Sequence, residues 1–230
     1  MVAPRQPGLL DHAEGEPTLA PAPTFERVQL DDTAWVDVCR GWMHGTDALF
    51  ELLVETAPWA QGRRFLYDQW RDDPRLGTSY RDDRLAPHPI IRVARLHLER
   101  RYRVSLTGPA LIYYRDGRDS VAPHADRELR HLDDTLIAIL TLGSTRPFTI
   151  GPKPRGGRRE GLVPTHDLRP APGDLLVMGG SAQRGWLHGV PKVAGGGPRI
   201  SITWRWTSRR GRPEVGANWS DPRRYGDRRR

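Results

Sequence analysis

Hydrophobic and polar residues alternate with a period of two between residues 199 and 206 of the chain. Because successive side chains of a β-strand point to opposite faces, this pattern predicts a strand with one apolar and one polar face. The apolar positions are Ile200, Ile202, Trp204 and Trp206, and the polar positions are Arg199, Ser201, Thr203 and Arg205. An isolated strand would hold these arginines in water, whereas a barrel would enclose them. The alternation alone leaves both interpretations open.

Further segments have strand-like composition and are separated by turns rich in Gly, Pro and Asp. We predict strands at residues 110–114, 135–142, 146–150, 161–164 and 173–178. The predicted helices come earlier in the chain, at residues 46–56, with Thr46 as N-cap, and at residues 89–102, which open on a proline. This order predicts a mainly β protein with flanking helices (α+β), built as an antiparallel sandwich.

With 230 residues, the chain is long enough for one sizeable core, and we predict a single domain over residues 25–208. Residues 1–24 are rich in Pro, Ala, Gly and Glu and are expected to be disordered, with no signal-peptide core. Cys39 is the single cysteine, which excludes an internal disulfide, and no apolar run approaches the ~20 residues of a membrane span. We therefore expect a cytoplasmic monomer that does not enter a membrane.

The positive charge of the chain is concentrated in arginine. The formal net charge is +8, and residues 209–230 form an Arg-rich tail that is expected to be disordered. A second basic cluster lies at residues 152–159, where the charged positions are Lys153, Arg155, Arg158 and Arg159. A polyanion such as nucleic acid is the natural partner for such charge. The alternative is that the arginines are a compositional bias and the tail is merely solvated.

A motif for metal binding lies at His124-Ala125-Asp126. In an extended segment the two residues that flank Ala125 point the same way and can reach one ion. His188 is the candidate third ligand, because two histidines and one carboxylate are the set that holds non-haem Fe(II) on one face. By itself the motif is weak, since Asp126 could instead cap the segment that follows it.

The joint pattern is more specific than its parts. Tyr114-x-x-Gly117, His124-x-Asp126-x-Glu128, Trp186-x-His188, and Arg199 followed by Arg205, taken together, resemble the AlkB family of Fe(II)/2-oxoglutarate dioxygenases over about residues 74–207. The resemblance implies a double-stranded β-helix (a cupin-like jelly roll). It also implies that His124, Asp126 and His188 bind Fe(II), and that 2-oxoglutarate and O₂ are consumed in the oxidative dealkylation of DNA or RNA bases.

The resemblance assigns further residues to the site. Tyr114 and Arg199 would hold the distal carboxylate of 2-oxoglutarate, and Arg205 would lie near the carboxylate that chelates the metal. Glu128 matches the acidic position that faces the target base. The softest match is the segment at residues 74–80, in which Arg75 and Tyr80 would contact the substrate.

One position departs from the family pattern. The family usually has Asn two residues before the tyrosine, where its amide contacts 2-oxoglutarate, and here the residue is Ile112. A buried Asn supplies hydrogen bonds that Ile lacks, so we expect weaker co-substrate binding unless another group, such as Tyr113, compensates. Two alternatives therefore stay open: a hydroxylase of a protein or small molecule, and a non-catalytic nucleic-acid-binding module with a degenerate iron site.

Overall fold

The computed structural model describes residues 15–66, 68–126, 128–154 and 163–207, together with the backbone of residues 223–224. Its helices are α1 (Thr46–Thr56), α2 (Ile90–Tyr102) and α3 (Ala182–Gly185), with a 3₁₀ turn at Asp83–Leu85. The strands are β1 (Thr18–Leu19), β2 (Glu26–Gln29), β3 (Ala34–Cys39), β4 (Met43–His44), β5 (Ala60–Leu66), β6 (Gln69–Ser79), β7 (Thr107–Tyr114), β8 (Val121–His124), β9 (Thr135–Gly143), β10 (Thr149–Pro152), β11 (His166–Asp167), β12 (Leu175–Gly180), β13 (Trp186–Val190), β14 (Arg199–Thr207) and β15 (Arg223–Arg224).

Two sheets dominate the described part of the chain. The larger sheet has the strand order β15-β5-β6-β7-β14-β9-β12-β3-β2, and the smaller one has the order β11-β10-β13-β8. Neighbouring strands are antiparallel except for β15, which pairs in parallel with β5. Strands β5 and β6, like β2 and β3, are hairpin neighbours, whereas β14 and β9 are distant in sequence and pair over a long range. The predicted antiparallel sandwich is confirmed.

The central strands β9 and β12 of the larger sheet divide their side chains between two cores. On β9, Leu140 belongs to an outer cluster that packs under α1 and α2, while its neighbour Ile139 belongs to an inner cluster between the two sheets. The same division separates Val177 from Leu176 on β12. Both faces of these strands are thus buried, which explains their continuous apolar runs.

Strand β14 differs because only its outer face is apolar. Ile200, Ile202 and Trp204 are fully buried in the outer cluster. The alternate face, with Arg199, Ser201, Thr203 and Arg205, therefore points between the sheets, and the first three of these residues are buried. The arginines of β14 are enclosed by the sandwich instead of lying in water.

Several predicted bounds need correction. Helix α1 has the predicted extent, but its N-cap is Gly45, with a φ of 64°, so Thr46 is the first helical residue. The strand predicted at residues 146–150 starts only at Thr149. Of the strand predicted at residues 161–164, the first two residues lie outside the described part, and the partner of β10 is instead β11.

The predicted domain limits are also shifted. Strand β1 lies inside the segment expected to be disordered, and it pairs with β4, so residues 15–24 do not support that expectation. Residues 1–14 lie outside the described part, as do residues 208–222 and 225–230 of the predicted tail. None of the described helices is long and apolar enough to cross a membrane.

The two-faced packing of β14 yields a stability prediction. Changing Ile202 to Ala should lower the free energy of unfolding by about 2–5 kcal/mol, because a fully buried side chain is truncated in the outer cluster. Urea denaturation measures this loss. Since Ile202 faces away from the interior between the sheets, the affinity of the folded variant for Co(II), used in place of the predicted Fe(II), should be unchanged. A weaker affinity for Co(II) in the folded variant would contradict the separation of the two faces.

Candidate functional site

Two histidines face each other across the smaller sheet. His124 ends β8 and is paired in register with His188 on β13, and their ring centroids lie 4.4 Å apart. Asp126 follows two residues beyond the end of β8. One ligand atom from each of these three side chains lies within 4.8 Å of the others. The predicted triad therefore converges, although only its histidines lie on strands.

Hydrogen bonds and burial leave both imidazoles able to bind a metal. The Nδ1 atom of His124 is 3.0 Å from the carbonyl oxygen of Ala122, and its Nε2 lies 3.5 Å from Oδ1 of Asp126. His188 is buried and stacks on Phe148, with ring centroids 5.7 Å apart. Burial, followed by the positive charge of its neighbours, lowers the pKa of His188 to about 3. His188 is consequently neutral at physiological pH, which is the form that coordinates metals.

The carboxylate of Asp126 is buried and ionised. Burial alone would raise its pKa, but Arg205 and the two histidines hold the pKa well below its ordinary value. The Nε atom of Arg205 donates to Oδ2 of Asp126 at 2.7 Å. Oδ2 is thus occupied by Arg205, while Oδ1 faces His124. Two imidazoles and one carboxylate fit the ligand set of a non-haem Fe(II) centre.

Arg199 lies on the same inner face as Arg205, in a fully buried position. Its Nη2 donates to the hydroxyl of Thr141 at 3.1 Å, but Nε and Nη1 have no hydrogen-bond acceptor in the described part of the chain. Burial lowers its pKa to about 10, so the side chain stays cationic at neutral pH. A buried cation with free donors requires an anion, and a small dicarboxylate supplies one.

Tyr114 and a second buried arginine complete this end of the site. The guanidinium carbons of Arg199 and Arg146 lie 5.8 Å and 5.5 Å from the centroid of the Tyr114 ring. Arg146 donates to the carbonyl oxygens of Asp116, Asp119 and Pro191. It therefore clamps the loops around the pocket. Sequence reasoning missed this role, because Arg146 was assigned to the start of a strand.

The position that departs from the family pattern lies inside the same pocket. Ile112 packs against the inner cluster and is paired in register with Ser201. Tyr113 packs against the outer cluster, on the other face of β7, so the suggestion that it compensates for the missing amide is wrong. Ser201 is the polar group that the structure places opposite Ile112.

Of the remaining predicted site residues, two lie near the triad. Arg75 is buried, donates to the carbonyl oxygen of Ser120 at 3.3 Å and contributes to the lowered pKa of His188. Glu128 is close enough to Arg205 to raise the pKa of that guanidinium, against the larger effect of burial. Both therefore lie at the metal end of the pocket.

Tyr80 does not join them. It follows β6 and packs against the outer cluster under the helices. Its strand neighbours explain this position, because Gly77 is paired with the inward Ile112, whereas Leu76 and Thr78 are paired with Tyr113 and Leu111, which belong to the outer cluster. The assignment of Tyr80 to the substrate site is corrected.

Comparison with known proteins agrees with this geometry. Residues 75–205 match the family model of the 2OG-Fe(II) oxygenase superfamily. The chain is a member of that superfamily. A solved 2OG-Fe(II) oxygenase from Burkholderia pseudomallei shares its fold, with a TM-score of 0.51 and 15% identity over 77% of this chain and 87% of that one. The predicted double-stranded β-helix is confirmed.

Two curated relatives belong to the AlkB group, which confirms the resemblance found in the sequence. The chain is 28% identical to the mouse alpha-ketoglutarate-dependent dioxygenase alkB homolog 3 over 219 residues, which cover 87% of this chain and 77% of the relative. It is 30% identical to the mouse DNA oxidative demethylase ALKBH2 over 160 residues, which cover 61% and 64%. The chain is therefore an Fe(II)- and 2-oxoglutarate-dependent dioxygenase of this superfamily.

The triad gives a prediction for this oxygenase that does not depend on its substrate. Changing Asp126 to Ala should weaken Co(II) binding by more than ~100-fold, because the only anionic ligand is lost. Isothermal titration of the metal-free protein measures the affinity, and circular dichroism checks that the variant is folded. Wild-type affinity in a folded Asp126→Ala variant would show that the metal binds elsewhere.

The carboxylate end gives a second prediction. Arg199→Lys should raise the dissociation constant of 2-oxoglutarate at least about tenfold, because a point charge replaces a planar fork of donors. Ile112→Asn should lower it by about fivefold, since the amide can donate to the co-substrate. Both are measured by titration of the Co(II)-loaded protein. An unchanged constant in Arg199→Lys would mean that the co-substrate does not reach this arginine.

Proposed function

We propose that this protein removes alkyl groups from the ring nitrogens of nucleic-acid bases by oxidation that consumes 2-oxoglutarate and O₂. The observation that carries the proposal is the arrangement of the interior between the two sheets. A candidate Fe(II) triad lies at one end, and at the other lies the buried Arg199, whose Nε and Nη1 have no acceptor among the described residues. The substrate class is supported by the names of the relatives, one of which is a DNA oxidative demethylase.

The residues of the site have separate tasks. His124, Asp126 and His188 would hold Fe(II), which with 2-oxoglutarate and O₂ supplies the oxidising power for hydroxylation. Arg205 keeps one oxygen of Asp126 engaged, and Arg199 would bind the distal carboxylate of 2-oxoglutarate. Fixing these groups before reaction removes much of the entropic cost of bringing three partners together. Arg205, beside the metal ligands, would also supply positive charge for the carboxylate of 2-oxoglutarate that binds the metal.

The chemistry of the product follows from the position of the attacked carbon. A hydroxyl group on a carbon bonded to a base nitrogen gives a hemiaminal. Its carbon–nitrogen bond breaks as the hydroxyl loses its proton, the bonding pair returns to the nitrogen, and an aldehyde leaves, which is formaldehyde for a methyl group. The restored base needs no further step.

Charge at the metal end of the site supports an alkylated base as the substrate. Alkylation of a ring nitrogen such as N1 of adenine leaves the base positively charged. Glu128, which lies near Arg205, offers a carboxylate for this charge. A base in a duplex must first leave the stack, which costs a few kcal/mol and is easiest for damaged pairs.

The proposed partner is therefore nucleic acid, bound by a monomer in the cytoplasm. The net charge of +8 supports a polyanionic partner, and the single, buried and free Cys39 suits a reducing compartment. The non-catalytic alternative rests on Ile112. The convergent triad argues against it, because a protein that only binds nucleic acid has no use for a buried metal-ligand set.

A mass measurement tests the proposal. Purified, Fe(II)-loaded protein is incubated with oligonucleotides that contain 1-methyladenine or 3-methylcytosine, and the mass should fall by one CH₂ unit with stoichiometric succinate. His124→Ala, His188→Ala and Asp126→Ala should each be inactive. An unchanged oligonucleotide mass with continued succinate formation would move the substrate to proteins or small molecules.

The basic loop gives an independent prediction about the partner. Arg155, Arg158 and Arg159 lie outside the described residues, and Lys153 lies just inside them. Neutralising all four should weaken duplex DNA binding and flatten the plot of log affinity against log salt by about 0.9 per lost contact. Turnover of an isolated methylated nucleoside should be nearly unaffected. Deletion of residues 209–230 should have a smaller effect, and unchanged salt slopes in both variants would show that the charge is compositional.

A further inference from the structure

A buried glutamine lies between the two chain segments that supply the candidate metal ligands. Gln183 belongs to α3, which joins β12 to β13 and precedes His188. Its side chain is fully buried, and its Oε1 accepts a hydrogen bond from the backbone N–H of Asp126 at 2.8 Å. This bond links Asp126 to α3, in addition to the strand pairing that already joins His124 on β8 to His188 on β13.

Asp126 depends on such a bond because it lies beyond the end of β8. Its backbone pairs with no strand of the described part of the chain, and its carbonyl oxygen accepts from the N–H groups of Leu129 and Arg130 in the turn that follows. Without Gln183, the backbone N–H group of the buried Asp126 would lose its hydrogen bond to Oε1 of Gln183. Buried backbone N–H groups are almost always paired, so the contact fixes the direction in which the Asp126 side chain leaves the backbone.

The turn that carries Gln183 is itself held in place. The hydroxyl of Ser181 is 2.7 Å from that of Thr33, and the indole N–H of Trp186 donates to Oδ2 of Asp31 at 2.6 Å. These bonds tie both ends of α3 to the loop before β3. Contacts within the protein therefore hold α3, and with it the amide of Gln183, in place without a bound metal.

The other half of the amide separates this role from simple packing. The Nε2 atom of Gln183 is buried and has no hydrogen-bond acceptor in the described part of the chain. An unsatisfied buried donor of this kind destabilises the folded state, and an apolar side chain of equal size would avoid this loss. Packing alone therefore does not explain a glutamine at this position. The acceptor oxygen, which binds the N–H group of Asp126, does explain it.

We propose that Gln183 is a positioning residue for the metal centre, acting through Asp126. Its oxygen fixes the Asp126 backbone, while Arg205 fixes Oδ2, so Oδ1 is placed for the metal before the metal binds. Partners that orient a ligand in this way commonly contribute 10–100-fold to metal affinity. The inference rests on the proposed function only in taking His124, Asp126 and His188 as the metal ligands.

The test measures Co(II) affinity, which needs neither O₂ nor substrate. Gln183→Met keeps the volume and removes the acceptor, so the dissociation constant should rise by ~10–100-fold. Gln183→Glu keeps an oxygen at the same reach and should restore most of the affinity. Should Gln183→Met not fold, Gln183→Asn takes its place, because its shorter chain cannot reach the Asp126 N–H. The visible spectrum of bound Co(II) reports any change in ligand geometry.

A neighbour on the same turn provides the matched control. Arg184 is exposed and pairs with Asp133, so Arg184→Met perturbs α3 without touching Asp126 and should leave Co(II) affinity unchanged. Wild-type affinity in the folded Gln183→Met or Gln183→Asn variant would overturn the inference. An equal loss in Arg184→Met would also overturn it, by making the effect one of general packing. An incorrect assignment of the metal ligands would give a different result, because the Asp126→Ala variant would then bind Co(II) as tightly as the wild type.

Discussion

Two arginines on one strand face the interior of a β-sandwich, and the need to balance their charge determines the arrangement of the site around them. A buried cation is costly unless an anion compensates it. Arg205 has its anion in the protein, the carboxylate of Asp126 at 2.7 Å. Arg199 is buried more deeply, and among the described residues its side chain donates only to a neutral hydroxyl, that of Thr141. One end of the interior is thus neutralised internally, and the other is left for a ligand.

This difference fits what a metal and a dicarboxylate require together. The internal pair keeps Asp126 ionised and fixed, so the metal end is preorganised. The guanidinium of Arg199 is also held in place, but its Nε and Nη1 have no acceptor in the described part of the chain and can bind an anion that enters from outside. Tyr114 and Arg146 pack around it, and the carbonyl bonds of Arg146 hold the surrounding loops. Burial of these charges destabilises the fold. The apolar outer cluster, in which the other face of β14 packs under the helices, offsets this loss.

Much of this could be predicted from the sequence, because it depends on short-range periodicity. The alternation at residues 199–206 specified both faces of β14, and the His-x-Asp spacing brought its two ligands together. The sequence could not show whether the arginine face of β14 points into the sandwich or into water, because this depends on α1 and α2 covering the apolar face. The resemblance to the AlkB family suggested that Arg199 and the candidate ligand His188 belong to one site, although they lie on strands of different sheets, β14 and β13.

What could not be predicted consists of contacts between distant segments. Gln183 and Arg146 act through backbone groups of other loops, and a backbone N–H or carbonyl leaves no mark in the sequence. Tyr80 was misplaced for a related reason, because its face depends on the pairing of β6 with β7. Strand β1 was missed because a two-residue strand next to prolines has no periodicity to detect.

The central claim is that the interior between the two sheets holds a metal at the end near Arg205 and a dicarboxylate at the end near Arg199. Anomalous diffraction from crystals grown with Co(II) and 2-oxoglutarate tests it most directly. We expect one strong peak bounded by His124, Asp126 and His188, with the distal carboxylate of 2-oxoglutarate hydrogen-bonded to Nε or Nη1 of Arg199. A peak at other residues, or a co-substrate that leaves Arg199 unpaired, would contradict the account.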